Sequence, residues 1–259
     1  MSVTFAVTAY EELSKRRSNG ALIRRCLRSA QDHPGIDEIV VVDDASLDVD
    51  GLRTILKDFP KASIFRNETR LRVFGNKIEA VLRSRGDWVI TCDSDNMMDR
   101  AFIDMAIEAT AGPSSACFCP TFARPHFDYR DMRGSWDRHG IRVIAKHPRF
   151  GCFINTGNQT VHREAFAKVF GEYRGKPLSS FMPALLGTGQ GYPDAAWDGN
   201  DSRIFNWLWL RAGNILVAES GMEYEHAVSD QPGNYVECAR DQRCSQIGRV
   251  IDRMFSEGL

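Results

Sequence analysis

The 259-residue chain lacks an excess of charge of either sign: 33 Lys and Arg stand against 34 Asp and Glu, for a formal net charge of -1. That balance excludes the broad basic field by which nucleic-acid binders gather phosphates, so anions must be met locally and no nucleic acid partner is expected. No stretch approaches the ~18 apolar residues that a membrane-spanning helix requires, and no basic segment precedes an apolar run at the start. Neither a transmembrane helix nor a signal peptide is therefore expected. The seven cysteines are odd in number and form no Cys-x-x-Cys pair, with Cys117 and Cys119 spaced to share one face of a strand. A chain of this length buries enough surface to fold without disulfides, which makes a reducing cytoplasm the simplest home, free or against a membrane surface. Repeats, low-complexity tracts and linkers are also missing. What is present, 43% hydrophobic, 26% charged and 10% aromatic residues, is the profile of a soluble globular protein.

Up to about residue 122, short β-rich runs alternate with stretches of helical period. The strand candidates are 3–8, 38–42, 62–66, 88–92 and 116–122. Between them Leu22, Cys26 and Leu27, then Leu52, Ile55, Leu56 and Phe59, then Ile78, Val81 and Leu82, then Phe102, Met105, Ala106 and Ala109 recur at helical spacing. The pattern predicts an α/β fold: a mostly parallel central sheet with helices on both faces and ligands at the carboxyl ends of its strands. Residues 123–149 break it. Seven cations (Arg124, Arg130, Arg133, Arg138, Arg142, Lys146, Arg149) outnumber Asp128, Asp131 and Asp137, with Phe127, Tyr129 and Trp136 interleaved. A long excursion is expected, either a solvated loop or an anion-favouring flap on the acceptor side. Beyond it the pattern predicts a turn at Asn155-Thr156-Gly157-Asn158, a helix over 163–170 and a Gly/Pro-rich stretch over 171–200. A helix over 201–211 and short strands at 215–218 and 222–226 follow. In a last helix Ile247, Val250, Ile251, Met254 and Phe255 form one apolar stripe, read as core.

Two acidic clusters stand at the ends of apolar runs: Asp43-Asp44 after Ile39-Val40-Val41-Val42, and Asp93-Ser94-Asp95 after Trp88-Val89-Ile90-Thr91-Cys92. Two carboxylates two residues apart at a strand end suit a hard cation, because Mg2+ or Mn2+ takes oxygen ligands and keeps positions for water or phosphate oxygens. The same residues also serve as turn formers and helix caps. Asp-x-Asp occurs in phosphatases of the haloacid dehalogenase type as well, though usually on the first strand rather than the fourth. A phospho-receiver domain would use Asp43-Asp44, Asp93, Thr121 and Lys146-His147-Pro148, but leaves 3–10 and everything after about 150 unexplained.

Taken together, the motifs resemble the family-2 glycosyltransferases of GT-A fold over nearly the whole chain. Val3 to Glu12 is similar to that family's first strand and Pro-x-Tyr-Asn-Glu turn, with Thr8 and Glu11 departing from it. Glu38 to Asp48 (EIVVVDDASLD) resembles its "eIvVVDDgStD" segment, and Asp93-Ser94-Asp95 falls where its metal-binding Asp-x-Asp lies. Asn155-Thr156-Gly157-Asn158 with 161–166 resembles "nxGn…rReaf", and Trp197-Asp198-Gly199-Asn200-Asp201 its Trp-Gly-x-Glu-Asp catalytic-base segment.

The resemblance implies one GT-A domain over 1–259, with 1–122 binding a nucleotide-sugar and 123–259 on the acceptor side. It implies a metal-dependent, inverting transfer from a nucleotide-diphospho-sugar, most simply a UDP-sugar, to a glycan, glycolipid or other hydroxyl acceptor. Thr8 lies in the donor-binding strand, Tyr10 stacks on the base, and Asp43 bonds the base edge. Asp93 meets the ribose or the metal, Asp95 ligates Mn2+ or Mg2+ directly, and His226 is the late histidine that adds a ligand in some members. Asp201 is the general base that takes the acceptor's proton, with Asp198 in reserve and the alternative that Asp201 merely caps a helix. Asn200 departs from the family's Glu, so the register at 200–202 is open. Gly75 replaces the family's Arg near the diphosphate, leaving Lys77, Arg70 or Arg72 to supply the cation, unless these lie on a solvated helix face. Lys15-Arg16-Arg17 and Arg24-Arg25 face phosphates, an anionic acceptor or, most simply, water.

Overall fold

The computed structural model describes residues 1–145, 157–187, 192, 194–226 and 242–257. Its centre is a parallel ladder in which β1 (Val3–Ala9) lies between β2 (Glu38–Asp43) and β4 (Trp88–Asp93), with β3 (Ala62–Arg66) outside β2. Alternate residues of a strand face opposite sides, and both sides are covered: Phe5, Val7, Ile39 and Val41 enter one apolar cluster, Ala6, Val40 and Val42 the other. That double burial is why these strands read as unbroken apolar runs. One cluster receives Ile23, Cys26, Leu27 and Ala30 of α1 (Ala21–Gln31), Leu52, Ile55 and Leu56 of α2 (Val49–Leu56), and Phe102, Ile103 and Ala106 of α4 (Arg100–Ala109). The other receives Phe74, Ile78 and Val81 of α3 (Arg72–Arg83), Phe166 and Phe170 of α6 (Arg163–Phe170), and the aromatic-rich α9 (Asp201–Arg211). Ile247, Ile251 and Phe255 of the last helix, α10 (Gln242–Glu257), join it, so the expected apolar stripe is core.

The far half of the same sheet departs from the sequence expectation in three places. A three-residue strand, β9 (Thr160–His162), inserts antiparallel between β4 and β6 (Ala116–Arg124). It is too short to show a period of two, so it carried no signal. The two short strands expected at 215–218 and 222–226 form one strand, β10 (Ile215–Glu225), parallel to β6 with a register shift between Glu219 and Glu223. Gly221 sits there at φ +86, a bulge that mimics a turn in sequence. The excursion after 122 is folded onto the sheet edge as far as residue 145. β7 (Phe127–Asp128) returns on β6, β8 (Gly134–Trp136) pairs with β10, and α5 (Gly140–Ala145) follows. Tyr129 is buried and Phe127 and Trp136 pack on the core, so the aromatics anchor this segment rather than line a solvated loop. Lys146-His147-Pro148, Arg149 and Asn155-Thr156 lie outside the described residues. In the Gly/Pro-rich stretch the structure places α7 (Met182–Leu186) and α8 (Asp194–Asp198).

A two-residue strand, β5 (Met97–Met98), closes the far edge by pairing antiparallel with the end of β10, Met98 opposite Tyr224 and Met97 opposite Glu225. The turn carrying Asp95, which follows Asp93 at the end of β4, is thereby tied to the strand that ends just before His226. Among the described residues no helix is long and apolar enough to cross a membrane.

Candidate active site

The register of the ladder brings Thr8 beside Asp93 and Ala9 beside Asp43 at the carboxyl edge. Behind them the start of α3 is fixed by the second acid of the first cluster. Asp44 accepts hydrogen bonds from the backbone N–H of Leu71 and of Arg72, each at 2.7 Å, and from the Asn67 amide at 3.1 Å. Burial raises its pKa, and these bonds pull the other way. Asn76, buried on α3, donates to the Val42 carbonyl at 3.1 Å and so pins the helix to the strand ends.

That anchoring aims Lys77 into the site rather than at solvent. Its Nζ lies 3.1 Å from Asp201 Oδ2 and 3.3 Å from Asp93 Oδ1, with the Lys77 side chain 11% exposed. Burial works to lower its pKa, but the two carboxylates outweigh it and hold the ammonium well above the ordinary lysine range. Three residues far apart in sequence, on α3, β4 and α9, thus meet at one charge. The solvated-face alternative for Lys77 is corrected by this placement.

Two residues quoted only as part of a motif turn out to build the centre. Gly157, at φ +79, leaves the space through which Lys77 reaches: a Cβ there would stand 2.4 Å from Lys77 Nζ and 3.4 Å from Asp201 Oδ2. Buried Asn158 accepts from the Asp93 backbone N–H at 2.7 Å and donates to the Tyr224 hydroxyl at 2.9 Å. Thr8 donates from its hydroxyl to Asp93 Oδ1 at 3.1 Å.

Asp201 is the first residue of α9, and its carboxylate faces Lys77 instead of capping the helix, whose N-cap is Asn200. Asn200 is buried and accepts from Arg203 at 3.0 Å, while Ser202 is also buried, so Asp201 is the acid of that segment that reaches the centre. Asp198 is engaged by Arg72 at 2.8 Å, and burial pushes its pKa up to about 6 against the pull of that guanidinium. Asp43 is fully buried, with both oxygens held by Ser46 through its backbone N–H (3.0 Å) and its hydroxyl. Tyr10 is half-buried, and the Arg70 guanidinium covers its ring at 3.8 Å from the centroid. Arg24 pairs with Asp58 and Arg25 with Glu225, each at 2.6 Å.

At the outer edge of the site, half-buried Asp95 and His226 are close enough to interact. Burial lowers the His226 pKa, and Asp95 and Asp93 oppose it. Two carboxylates and an imidazole fit Mn2+ or Mg2+ in donor chemistry, although among the described residues no three such side chains already stand close enough to cage an ion. His126, which sequence reasoning passed over, lies against His226, with Nδ1 to Nδ1 at 3.1 Å.

The sequence profile of glycosyl transferase family 2 matches residues 4–170. The chain belongs to glycosyl transferase family 2. That match begins in β1, covering the opening segment that a phospho-receiver domain leaves unexplained, and includes Lys77, Asp93, Asp95 and Gly157; Asp201 and His226 lie beyond it. No curated protein sequence matches the chain. Solved structures agree on a GT-A fold for this family-2 glycosyltransferase. Staphylococcus aureus TarS 1-349 in complex with UDP-GlcNAc superposes with a TM-score of 0.62 at 15% identity, over 98% of this chain and 67% of that one. The mannosyltransferase PcManGT from Pyrobaculum calidifontis, in complex with GDP-Man and Mn2+, gives 0.58 at 17% identity over 97% and 69%. GalNAc-T7 with UDP, GalNAc and Mn2+ gives 0.59 at 14% identity, over 97% of this chain but 48% of its own. In a further TarS 1-349 structure the chain spans 59% of the length.

Proposed function

We propose that this glycosyltransferase moves a sugar from a nucleoside diphosphate donor, most simply a UDP-sugar, to an acceptor hydroxyl with inversion at the anomeric carbon. The observation that carries the reading is the meeting of Asp93, Lys77 and Asp201 at the carboxyl edge of the sheet. Asp201 takes the proton of the acceptor hydroxyl as that oxygen attacks the anomeric carbon and the nucleoside diphosphate leaves from the opposite side. Lys77 presents a fixed positive charge to the departing diphosphate, the role the family gives to an Arg that Gly75 replaces here. Asp93, Asp95 and His226 would hold Mn2+ or Mg2+, which supplies further neutralisation of the diphosphate when bound. Tyr10 offers the base its ring face, which the base shares with or takes from Arg70. Asp43 reads the base edge only where Ser46 releases it.

Strands β9 and β10 carry the sheet from 1–122 into the later half, which supports reading 1–259 as one domain. Cys26, Cys92, Cys117 and Cys119 are buried and free, as a reducing cytoplasm would leave them.

The test is turnover across a panel of nucleotide sugars with Mn2+, including slow hydrolysis in the absence of an acceptor. Asp201→Asn should lower turnover by roughly 10²–10⁴-fold, the usual share of a general base, while nucleotide binding persists. Full activity in that variant removes Asp201 from the mechanism. A panel in which no nucleotide sugar is consumed overturns the reading itself.

A further inference from the structure

The end of β10 runs parallel to the end of β6, with Glu225 opposite Arg124, and the His226 backbone N–H donates to the Arg124 carbonyl at 2.8 Å. The chain then turns at 125–126 into β7, so two histidines a hundred residues apart leave neighbouring strands side by side. Their rings meet edge to face, centroids 5.1 Å apart at 78°, and the Nδ1 atoms point at each other at 3.1 Å. His226 is held by the rings of Phe127 and Tyr224, with centroids at 5.3 and 6.3 Å, whereas His126 is exposed.

Two neutral imidazoles in this arrangement can share one proton, Nδ1–H to Nδ1. Loss of that shared proton and a turn of the exposed His126 ring would let both lone pairs face one ion instead. Nitrogen ligands about 2.0–2.1 Å from a metal stand roughly 2.9 Å apart at a right angle and roughly 3.4 Å apart at a tetrahedral one, and 3.1 Å lies between. Two acids lie within electrostatic reach. β5 pairs with the last residues of β10, which sets the Asp95 loop beside His226, and the charges of Asp95 and Asp93 both act on that ring.

We propose that His126 is a further metal ligand, forming with His226 a two-imidazole clamp toward which the carboxylates of Asp93 and Asp95, not close enough to cage an ion as they stand, would close on the ion. The assignment rests on the metal-dependent reading above. It also makes a selectivity claim. Imidazole suits Co2+, Zn2+ and other later transition ions, whereas Mg2+ and, less strictly, Mn2+ favour oxygen, so the clamp biases the site away from Mg2+.

The experiment titrates the metal-free full chain, without nucleotide, with Mn2+ followed by electron paramagnetic resonance and with Mg2+ by calorimetry. Wild type, His126→Ala, His126→Gln and Asp95→Ala are compared. Both His126 variants should lose about tenfold or more in Mn2+ affinity, with Mg2+ affinity changed less than about twofold. Their unfolding midpoints without metal should match wild type, since the ring is exposed. Co2+ added to wild type should give a visible absorption band that shifts in the His126 variants. Unchanged Mn2+ affinity in both His126 variants, with Asp95→Ala binding lost, overturns the clamp and leaves the metal site standing. Mn2+ affinity in Asp95→Ala equal to wild type overturns the metal site and the clamp with it.

Discussion

Replacing Gly157 by Ala sets backbone conformation and the central charge cluster against one another. An L-residue at φ +79 costs roughly 1–2 kcal/mol. The added Cβ would also meet Lys77 Nζ at 2.4 Å, a distance that forces the flexible ammonium away from Asp93 and Asp201. These ion pairs are 11–29% exposed, so after screening their loss is put at roughly 1 kcal/mol. The variant should therefore be destabilised by about 2–3 kcal/mol in urea unfolding. In a Lys77→Met background the side chain ends one atom short and carries no charge, so only the backbone strain should remain. The double-mutant cycle should show a coupling of about 1 kcal/mol. Because the carboxylates raise the Lys77 pKa above 10.5, the pairing contribution is fully present below pH 10.5 and is lost only as pH rises past the folded value. Additivity within about 0.3 kcal/mol, or wild-type stability in Gly157→Ala, would refute the idea that this glycine exists to admit the lysine.

Asp198 makes a separate prediction about pH. Its folded pKa of about 6 exceeds the ordinary 3.8, so the folded state keeps a proton that the unfolded chain gives up, and wild-type stability falls as pH rises through that window. Relative to wild type, Asp198→Asn should gain roughly 3 kcal/mol between pH 3.8 and pH 6, at about 1.4 kcal/mol per unit; a difference flat with pH would contradict the burial argument. Tyr10→Ala should weaken UDP binding by roughly 5- to 100-fold, the worth of one base stacked on an aromatic ring. Binding unchanged in calorimetry would move the base elsewhere.

Four of the five strands of the nucleotide half were legible because they are buried on both faces and so appear as apolar runs ending in polar residues, while the half-buried edge strand β3 was legible by its short β-rich run alone. Val3–Ala9, Glu38–Asp43 and Trp88–Asp93 each extend one residue past the expected end. At Glu38–Asp43 and Trp88–Asp93 the added residue is the acid itself. β9 and the bulge at Gly221 were illegible for opposite reasons: one is too short to have a period, and the other interrupts a period that continues beyond it. In the site, Asp93 and Asp201 stood out by motif, but nothing in a linear pattern says that Lys77 lies between them. Nor does it say that Gly157 must be small for it to do so. His126 was hidden because its partner comes from a strand a hundred residues away. A usable clue was there in Gly157, since a glycine in a turn-forming Asn-Thr-Gly-Asn run asks what passes through the space it leaves.

The short pairing of Met97 and Met98 with Tyr224 and Glu225 acts as a ruler for the outer edge of the site. Inserting or deleting a single residue between Asp95 and Met97 would lengthen or shorten the turn that holds the acid and change where its carboxylate stands relative to the end of β10. The large sheet behind it would remain undisturbed. Loop length at this position is thus as much a determinant of chemistry as the identity of any side chain, and homologous enzymes that differ there by one residue should differ in which ions they accept.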